Sequence, residues 1–425
     1  MFNILTQCLW IISSIMIFLC GIYYCFKLNF IHLNFKKMFS AIKEKSNKKD
    51  SISSFQSLTM ALAGRIGVGS LAGIALAIYL GGSGVLFWIW LTSFLCATNT
   101  YVESILAVIF RKKDSGNIYR GGPFYYIKDG LGNKTLAIIY AIIILISYIG
   151  GFLTIQVNTI SKCINSLFEC NPLFIGIVIA ILAGTTILGG VKKIAHTTSK
   201  LVPIMTALYF SICTFILIKN FAILPKTLIT IVDSAFNFKT FGTGILSTLL
   251  IGMQKGIFSS EVGLGTGSIV AVTADTKTPS INGLVQTFGI HVENLLFATI
   301  TVLVICMSNY QDILLSDPNG IEITLYAFKY HIGNIGPLFV TITIALFGIS
   351  TILTGYYYGE SSLKFIKNTN NLDIFFLKTF TLLVLILGSI TSSNLLWSIV
   401  DIMVGIIAII NIYSIFKLRK LVKTE

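Results

Sequence analysis

The sequence predicts an all-α polytopic membrane protein of about eleven transmembrane helices: one N-terminal span, then two five-helix repeats of opposite insertion. Three observations lead there. Apolar residues fill 55% of the 425 positions against 11% charged, with a mean hydropathy of +0.85, so charges are too few to coat a soluble surface of this size. Eleven segments reach or approach the roughly 20 apolar residues that a span needs. Two of these segments are interrupted at mid-depth by glycines and polar residues, and each opens a set of five. The same composition excludes a soluble enzyme, and with only seven prolines and no biased tract the chain does not read as disordered either.

In chain order the segments are 5–28, 58–82, 84–110, 134–160, 172–190, 200–219, 241–274, 282–308, 335–358, 375–391 and 393–416. The first is too long for a signal-peptide core and lacks a preceding basic region, so a retained span is expected. The expected organisation is an N-terminal span and basic linker (1–57), a first repeat (58–219), an outer amphipathic connection (220–240), a second repeat (241–416) and a basic tail (417–425). Of the 31 Lys and Arg, 24 fall in alternate connections, five in the others, and two, Arg65 and Lys255, within spans. The positive-inside rule makes the 24-charge side cytoplasmic, with the N-terminus outside and the C-terminus inside. The net charge of +14 is then an orientation signal and not a nucleic-acid surface.

The second segment reads SLTMALAGRIGVGSLAGIALAIYLGG (57–82) and the seventh GTGILSTLLIGMQKGIFSSEVGLGTGSIVAVTA (242–274). Non-helical backbone at this depth survives only where protein or a watery cavity satisfies it, so both are expected to be broken helices. Because five is odd, the second set enters from the opposite face, the arrangement of secondary transporters that bind at the midplane between discontinuous helices. A half-helix N-terminus suits a substrate carboxylate, and free carbonyls suit Na⁺ or an ammonium group. The first break is placed at Gly67-Val68-Gly69-Ser70, where Ser70 adds a hydroxyl; Gly69 and Gly73, four apart, also fit simple helix packing. The second break is placed in Phe258–Gly265, with Glu261 expected in an ion pair with Lys255 or Arg65.

Gln156 and Asn158 interrupt an apolar run two residues apart, on different faces, and an interhelical hydrogen bond is the expectation for Asn158. Hydroxyls at Ser350, Thr351 and Thr354 suit a hard monovalent cation, or bond back to their own helix. The roles of Glu293, Asn294, Asp401 and Asn411 stay open. His196 and His291 have no metal-ligand company and read as structural. Cys163 and Cys170 flank a short connection and are either bridged or two free thiols. No P-loop, catalytic triad or metal motif occurs, so transport would be driven by an ion gradient, with no cofactor beyond the coupling ion.

These residues resemble the alanine or glycine:cation symporter family, sodium–amino acid carriers of bacteria and archaea with a leucine-transporter-like fold. The likeness is carried by GVGSLAGIALAIYLGGSGVLFWIW (67–90), RGGPFYYIKDGLG (120–132), GGVKKIAHTTSKLVPIM (189–205), GMQKGIFSSEVGLGTGSI (252–269) and STILTGYYYGE (350–360). It implies a multi-pass protein of the bacterial cytoplasmic membrane that imports a small neutral amino acid with Na⁺. By that resemblance Gly64, Gly67 and Gly69 would cradle the substrate carboxylate, Gln156 would reach the substrate, and Phe258 and Val262 would line the pocket. Sodium would lie between carbonyls around Gly64 and Gly67 and the hydroxyls of Ser350 and Thr351.

The chain departs from the family's pattern in three places. The family usually reads GTGN where this chain has Gly67–Ser70, Asp-Thr where it has Glu293-Asn294, and a tryptophan where it has Gly355. Loss of that indole predicts a roomier pocket, accepting side chains larger than a methyl group. The alternatives are a transporter-like sensor with little flux and a proton-coupled carrier using Glu261 or Glu293.

Overall fold

The computed structural model describes residues 2–44, 51–114, 118–236, 244–316, 318–391 and 393–423. Parts of the expected basic linker (45–50), of the outer connection and the start of the second repeat (237–243, with Lys239), and of the tail (424–425) lie outside the described residues. Elsewhere the chain is almost wholly helical. In order the helices are α1 (Phe2–Lys27), α2 (Phe35–Ile42), α3 (Ser54–Arg65), α4 (Gly69–Gly81), α5 (Val85–Ile109), α6 (Pro123–Tyr125), α7 (Lys134–Phe168), α8 (Pro172–Ile187), α9 (Gly190–Lys219) and α10 (Leu224–Phe236). There follow α11 (Gly244–Ser260), α12 (Thr266–Ala271), α13 (Pro279–Cys306), α14 (Gln311–Leu314), α15 (Gly320–Ile332), α16 (Ile335–Ile366), α17 (Asn371–Gly388) and α18 (Ser393–Lys417). A two-residue ribbon pairs Lys112 with Arg120 and Lys113 with Tyr119 between α5 and α6.

Among the described residues eight helices are long and apolar enough to cross a membrane, and the bent pair α3–α4 makes a ninth. The other two of the eleven expected segments are the 16-residue α8 and the interrupted pair α11–α12. Several helices outrun the expected spans: α7 continues to Phe168, α9 begins at Gly190, and α16 runs to Ile366. Hydropathy registers only the lipid-compatible stretch, whereas the backbone ladder continues while side chains can follow it. As a result His196, expected on a loop, is an exposed helical residue. α8 and α17 expose Phe174, Ile181, Leu182, Phe375, Phe376 and Phe380, large apolar side chains that suit a lipid-facing surface.

Local chemistry fixes the element ends. Ser53 and Gln56 form a capping box that starts α3, each side chain bonding the other's backbone N–H, at 3.0 and 3.2 Å. Asn171 caps α8, with Pro172 at its first position. α1 stands beside α5 and α18: Asn99 donates to the Ile17 carbonyl at 2.9 Å, and the Tyr24 hydroxyl to the Ile415 carbonyl at 2.7 Å. Cys163 and Cys170 are free thiols.

The two interrupted helices lie side by side and run in opposite directions. At the face richer in Lys and Arg, Ile52, just before α3, bridges Ala274, just after α12. At the other face Thr248 of α11 donates to the Gly81 carbonyl that ends α4, at 2.9 Å. The chain between them includes the expected amphipathic segment as α10, whose Ser234 hydroxyl accepts from the Gly84 N–H.

Candidate functional site

At the first break α3 ends at Arg65 and α4 leaves at 53° to it. Bending frees backbone groups, and three of them find new partners. The Gly67 N–H, which in a continuous helix would bond the Ala63 carbonyl, turns to the Arg65 carbonyl at 3.0 Å. Ala63 O then accepts from Thr351 Oγ1 at 2.8 Å and, more loosely, Ser350 Oγ at 3.5 Å. The Val68 N–H, freed from Gly64, donates to Gln156 Oε1 at 3.0 Å. Gly67 has no room for a side chain, since a Cβ there would lie 2.5 Å from Thr351 Oγ1. Neither Gly69 nor Gly73 has a close helix neighbour, so helix packing does not account for them: Gly69's nearest contact is the Phe258 ring at 3.9 Å, and Gly73 faces open space.

The second break spans residues 261–265, where Glu261, Gly263 and Gly265 take positive φ of 57°, 78° and 82°. Phe258, Ser259 and Ser260, expected within the break, are still helical. The expected ion pair of Glu261 does not form. Its carboxylate accepts instead from the hydroxyls of Tyr148 at 2.5 Å and Tyr358 at 3.0 Å, groups distant in sequence that α7 and α16 carry to the same depth. The exposed carbonyls of the turn are also satisfied by side chains: Asn411 Nδ2 donates to Gly263 O at 2.9 Å, and the Tyr140 hydroxyl donates to Leu264 O. Asn411 Nδ2 also donates to the buried Glu103, at 2.6 Å. Lys255 lies over the rings of Phe258 and Trp397, at 5.5 and 5.8 Å. Arg65 is buried, donates to the Gln286 carbonyl at 3.2 Å, and fits because Gly267 and Gly289 carry no Cβ beside it.

A cavity of about 20 Å³ lies between the two breaks, lined by Gly64, Arg65, Gly67, Gly69, Phe152, Ile155, Gln156, Phe258, Ser259, Glu261, Thr351 and Trp397. The structure thus gathers Gly64, Gly67, Gly69, Gln156, Phe258 and Thr351 from the expected site residues. Four others stand apart from the lining. Val262 is a fully buried residue of the turn itself, and Ser350 reaches the Ala63 and Phe347 carbonyls. Ser70 points to Glu293, as described below. Gly355 faces Leu153, whose Cδ1 would be 2.7 Å from a Cβ there, so the space of the missing indole is filled and does not enlarge the cavity. Trp397, Phe152 and Ile155 are wall residues that nothing in the sequence marks out, each an apolar residue within an apolar helix. Asn158 donates to the Thr391 carbonyl in the turn after α17 at 2.6 Å and, more loosely, to the Gly388 carbonyl that ends α17 at 3.4 Å, and His291 is held between Ser93 and the His32 carbonyl at 2.9 and 2.7 Å.

Two departures from the family's pattern meet each other. Ser70 Oγ donates to Glu293 Oε1 at 2.7 Å, so a shorter side chain on α4 faces a longer one on α13. Glu293→Asp alone is expected to open this bond and lower the unfolding midpoint, a loss of about 0.5–1.5 kcal/mol for one buried hydrogen bond. Adding Ser70→Asn should recover most of it. Thermal unfolding of both single variants and the double variant measures the coupling, and additive losses would refute it.

At the basic face a second polar group closes the structure. Arg120, 3% exposed, bonds Asp114 at 3.0 Å, Glu360 at 2.8 Å and Ser361 at 3.1 Å, tying the turn after α5 to the end of α16; Lys364 joins at 3.3–3.4 Å. Burial pushes the Asp114 carboxyl up, but the Ile118 N–H and the charges of Arg120 and Lys364 outweigh it and hold the group below its usual range.

The sequence model described as the sodium:alanine symporter family matches residues 1–425. The chain is 36% identical over 409 residues to a probable sodium/glutamine symporter of Bacillus subtilis, covering 95% of this chain and 84% of that protein. It is 33% identical over 416 residues to a sodium/alanine symporter of Methanococcus maripaludis, covering 95% and 91%. Among solved structures it is similar to a Na⁺-coupled sialic acid symporter in a substrate-bound outward-open state, with a TM-score of 0.51 at 12% identity, covering 96% of this chain and 82% of that one. That last likeness is one of fold alone.

Proposed function

The chain belongs to the sodium:alanine symporter family, and from that membership we propose that it imports a small neutral amino acid of the alanine, glycine or glutamine class by symport with Na⁺. Membership makes it a multi-pass, Na⁺-coupled amino acid transporter and not an enzyme. In this reading no cofactor is needed beyond the coupling ion, the membrane is the bacterial cytoplasmic one, and the basic face with the C-terminus lies inside.

The observation that carries the reading is the first break. Ala63 O, stripped of its helical partner, faces the Thr351 and Ser350 hydroxyls beside the cavity, an all-oxygen group of the kind a hard cation takes in place of water. The start of α4 lies at the same cavity through Gly69 and brings there the positive end of the half-helix dipole, suited to a carboxylate once Gln156 releases the Val68 N–H. Glu261 on the opposite wall is already engaged by two tyrosines, which leaves the ammonium group to carbonyls and Gln156.

Counterflow in proteoliposomes, with and without Na⁺, tests this. Exchange of alanine or glutamine that needs Na⁺ is the expected result. Exchange indifferent to Na⁺ but sensitive to pH would replace it with proton coupling, and no exchange with retained binding would make the protein a sensor. Thr351→Val, which removes the hydroxyl at nearly constant volume, should raise the Na⁺ concentration for half-maximal exchange roughly tenfold, as expected from losing one ligand worth about 1.4 kcal/mol. An unchanged Na⁺ requirement would move the ion elsewhere.

A further inference from the structure

A cavity of 20 Å³ accommodates about one water and not an amino acid, so some wall of the site has to yield. Most of its polar walls are tied. Gln156 holds the Val68 N–H, Thr351 the Ala63 carbonyl, and Glu261 two tyrosine hydroxyls. Phe152 is stacked between Tyr148, at 4.6 Å and 12°, and Phe258, at 5.3 Å and 22°. Trp397 ends that row of rings, 5.8 Å from Phe258, and has empty space behind it.

That space is a second cavity of about 290 Å³, lined among others by Gly73, Leu76, Tyr79, Thr159 and Ile321, on the side of the site away from the basic face. Among the described residues that line either hollow, Trp397 alone lines both. Its ring is held by the Lys255 ammonium 5.8 Å above it, a contact that fixes the ring without a hydrogen bond.

Resting on the reading above, we infer that Trp397 is the specificity-determining wall of this transporter. Its indole sets the largest neutral side chain the site admits, and its displacement joins the site to the cavity beyond. The size limit that the family's pattern would place at Gly355 is exerted here from α18.

The test is a thermal-shift titration of the purified full-length protein with glycine, alanine, glutamine and leucine at fixed Na⁺, for wild type, Trp397→Phe and Trp397→Ala. The half-saturating concentration of leucine relative to alanine should fall at least tenfold in Trp397→Ala and roughly threefold in Trp397→Phe. The Na⁺ requirement should stay within about twofold, because Thr351 and Ala63 are untouched. A leucine-to-alanine ratio unchanged in both variants, or an equal loss for all four amino acids, would overturn the inference. Should Trp397→Ala fail to elute as wild type does, the Trp397→Phe ratio decides by itself. A wild-type protein that binds none of the four overturns the transport reading and this inference together, and is recognised before any variant is made.

Discussion

Arg120→Ala is expected to destabilise the folded protein by about 3 kcal/mol, because it leaves two largely buried carboxylates with only the longer, partly exposed contacts of Lys364 to balance them. Lys364 is the control. It touches the same two carboxylates but is 24% exposed and bonds at 3.3–3.4 Å, so Lys364→Ala should cost about 1 kcal/mol or less. Thermal unfolding of the purified variants separates the two, and equal midpoints would show that the cluster does not hold the basic face shut. The same group sets an acid limit. Since the Asp114 carboxyl is held below its usual range, its contribution is complete above the pH at which a free carboxyl ionises and is lost as pH falls through the depressed value.

The second large effect is expected at Glu261. Glu261→Ala strips the acceptor from two buried tyrosine hydroxyls, about 1–3 kcal/mol for each group left unpaired, and frees the turn that forms one wall of the cavity. Na⁺-dependent exchange should fall at least a hundredfold. Tyr148→Phe and Tyr358→Phe remove one donor each and should cost on the order of tenfold, while Glu261→Gln keeps an acceptor and should lie between. In a double variant of Tyr148→Phe with Glu261→Ala the phenylalanine should add little, since the two groups act as one unit. Full additivity would count against a shared role.

The breaks themselves were legible because helix weakeners concentrated at mid-depth have few explanations in a membrane, and their recurrence five spans later gave the pairing. Gln156 was legible for a related reason, as a polar group stranded in an apolar run. What pairs with what was not. Glu261 was assigned a cation by depth along the sequence, but the shell around a turn is filled by whichever helices pack there, and tyrosines on α7 and α16 reach it first. Gly355 shows the same limit: the absence of a large side chain predicts space only if no neighbour fills it, and Leu153 does. Trp397 looked like any other apolar residue of α18, and its position between two hollows depends on packing alone.

The wide turns near the site bear on how such a molecule can move. α4 carries a π-helical turn at Gly69–Gly73, α7 one at Ile146–Phe152 and α13 one at Val292–Phe297, and these hold Ser70, Tyr148, Phe152 and Glu293. Each π turn houses one residue more than an α turn, so tightening it to α geometry would rotate everything beyond by about 100° while nearly every ladder bond survives. Twist is therefore stored beside the binding residues, and releasing it in one helix re-aims side chains without melting that helix.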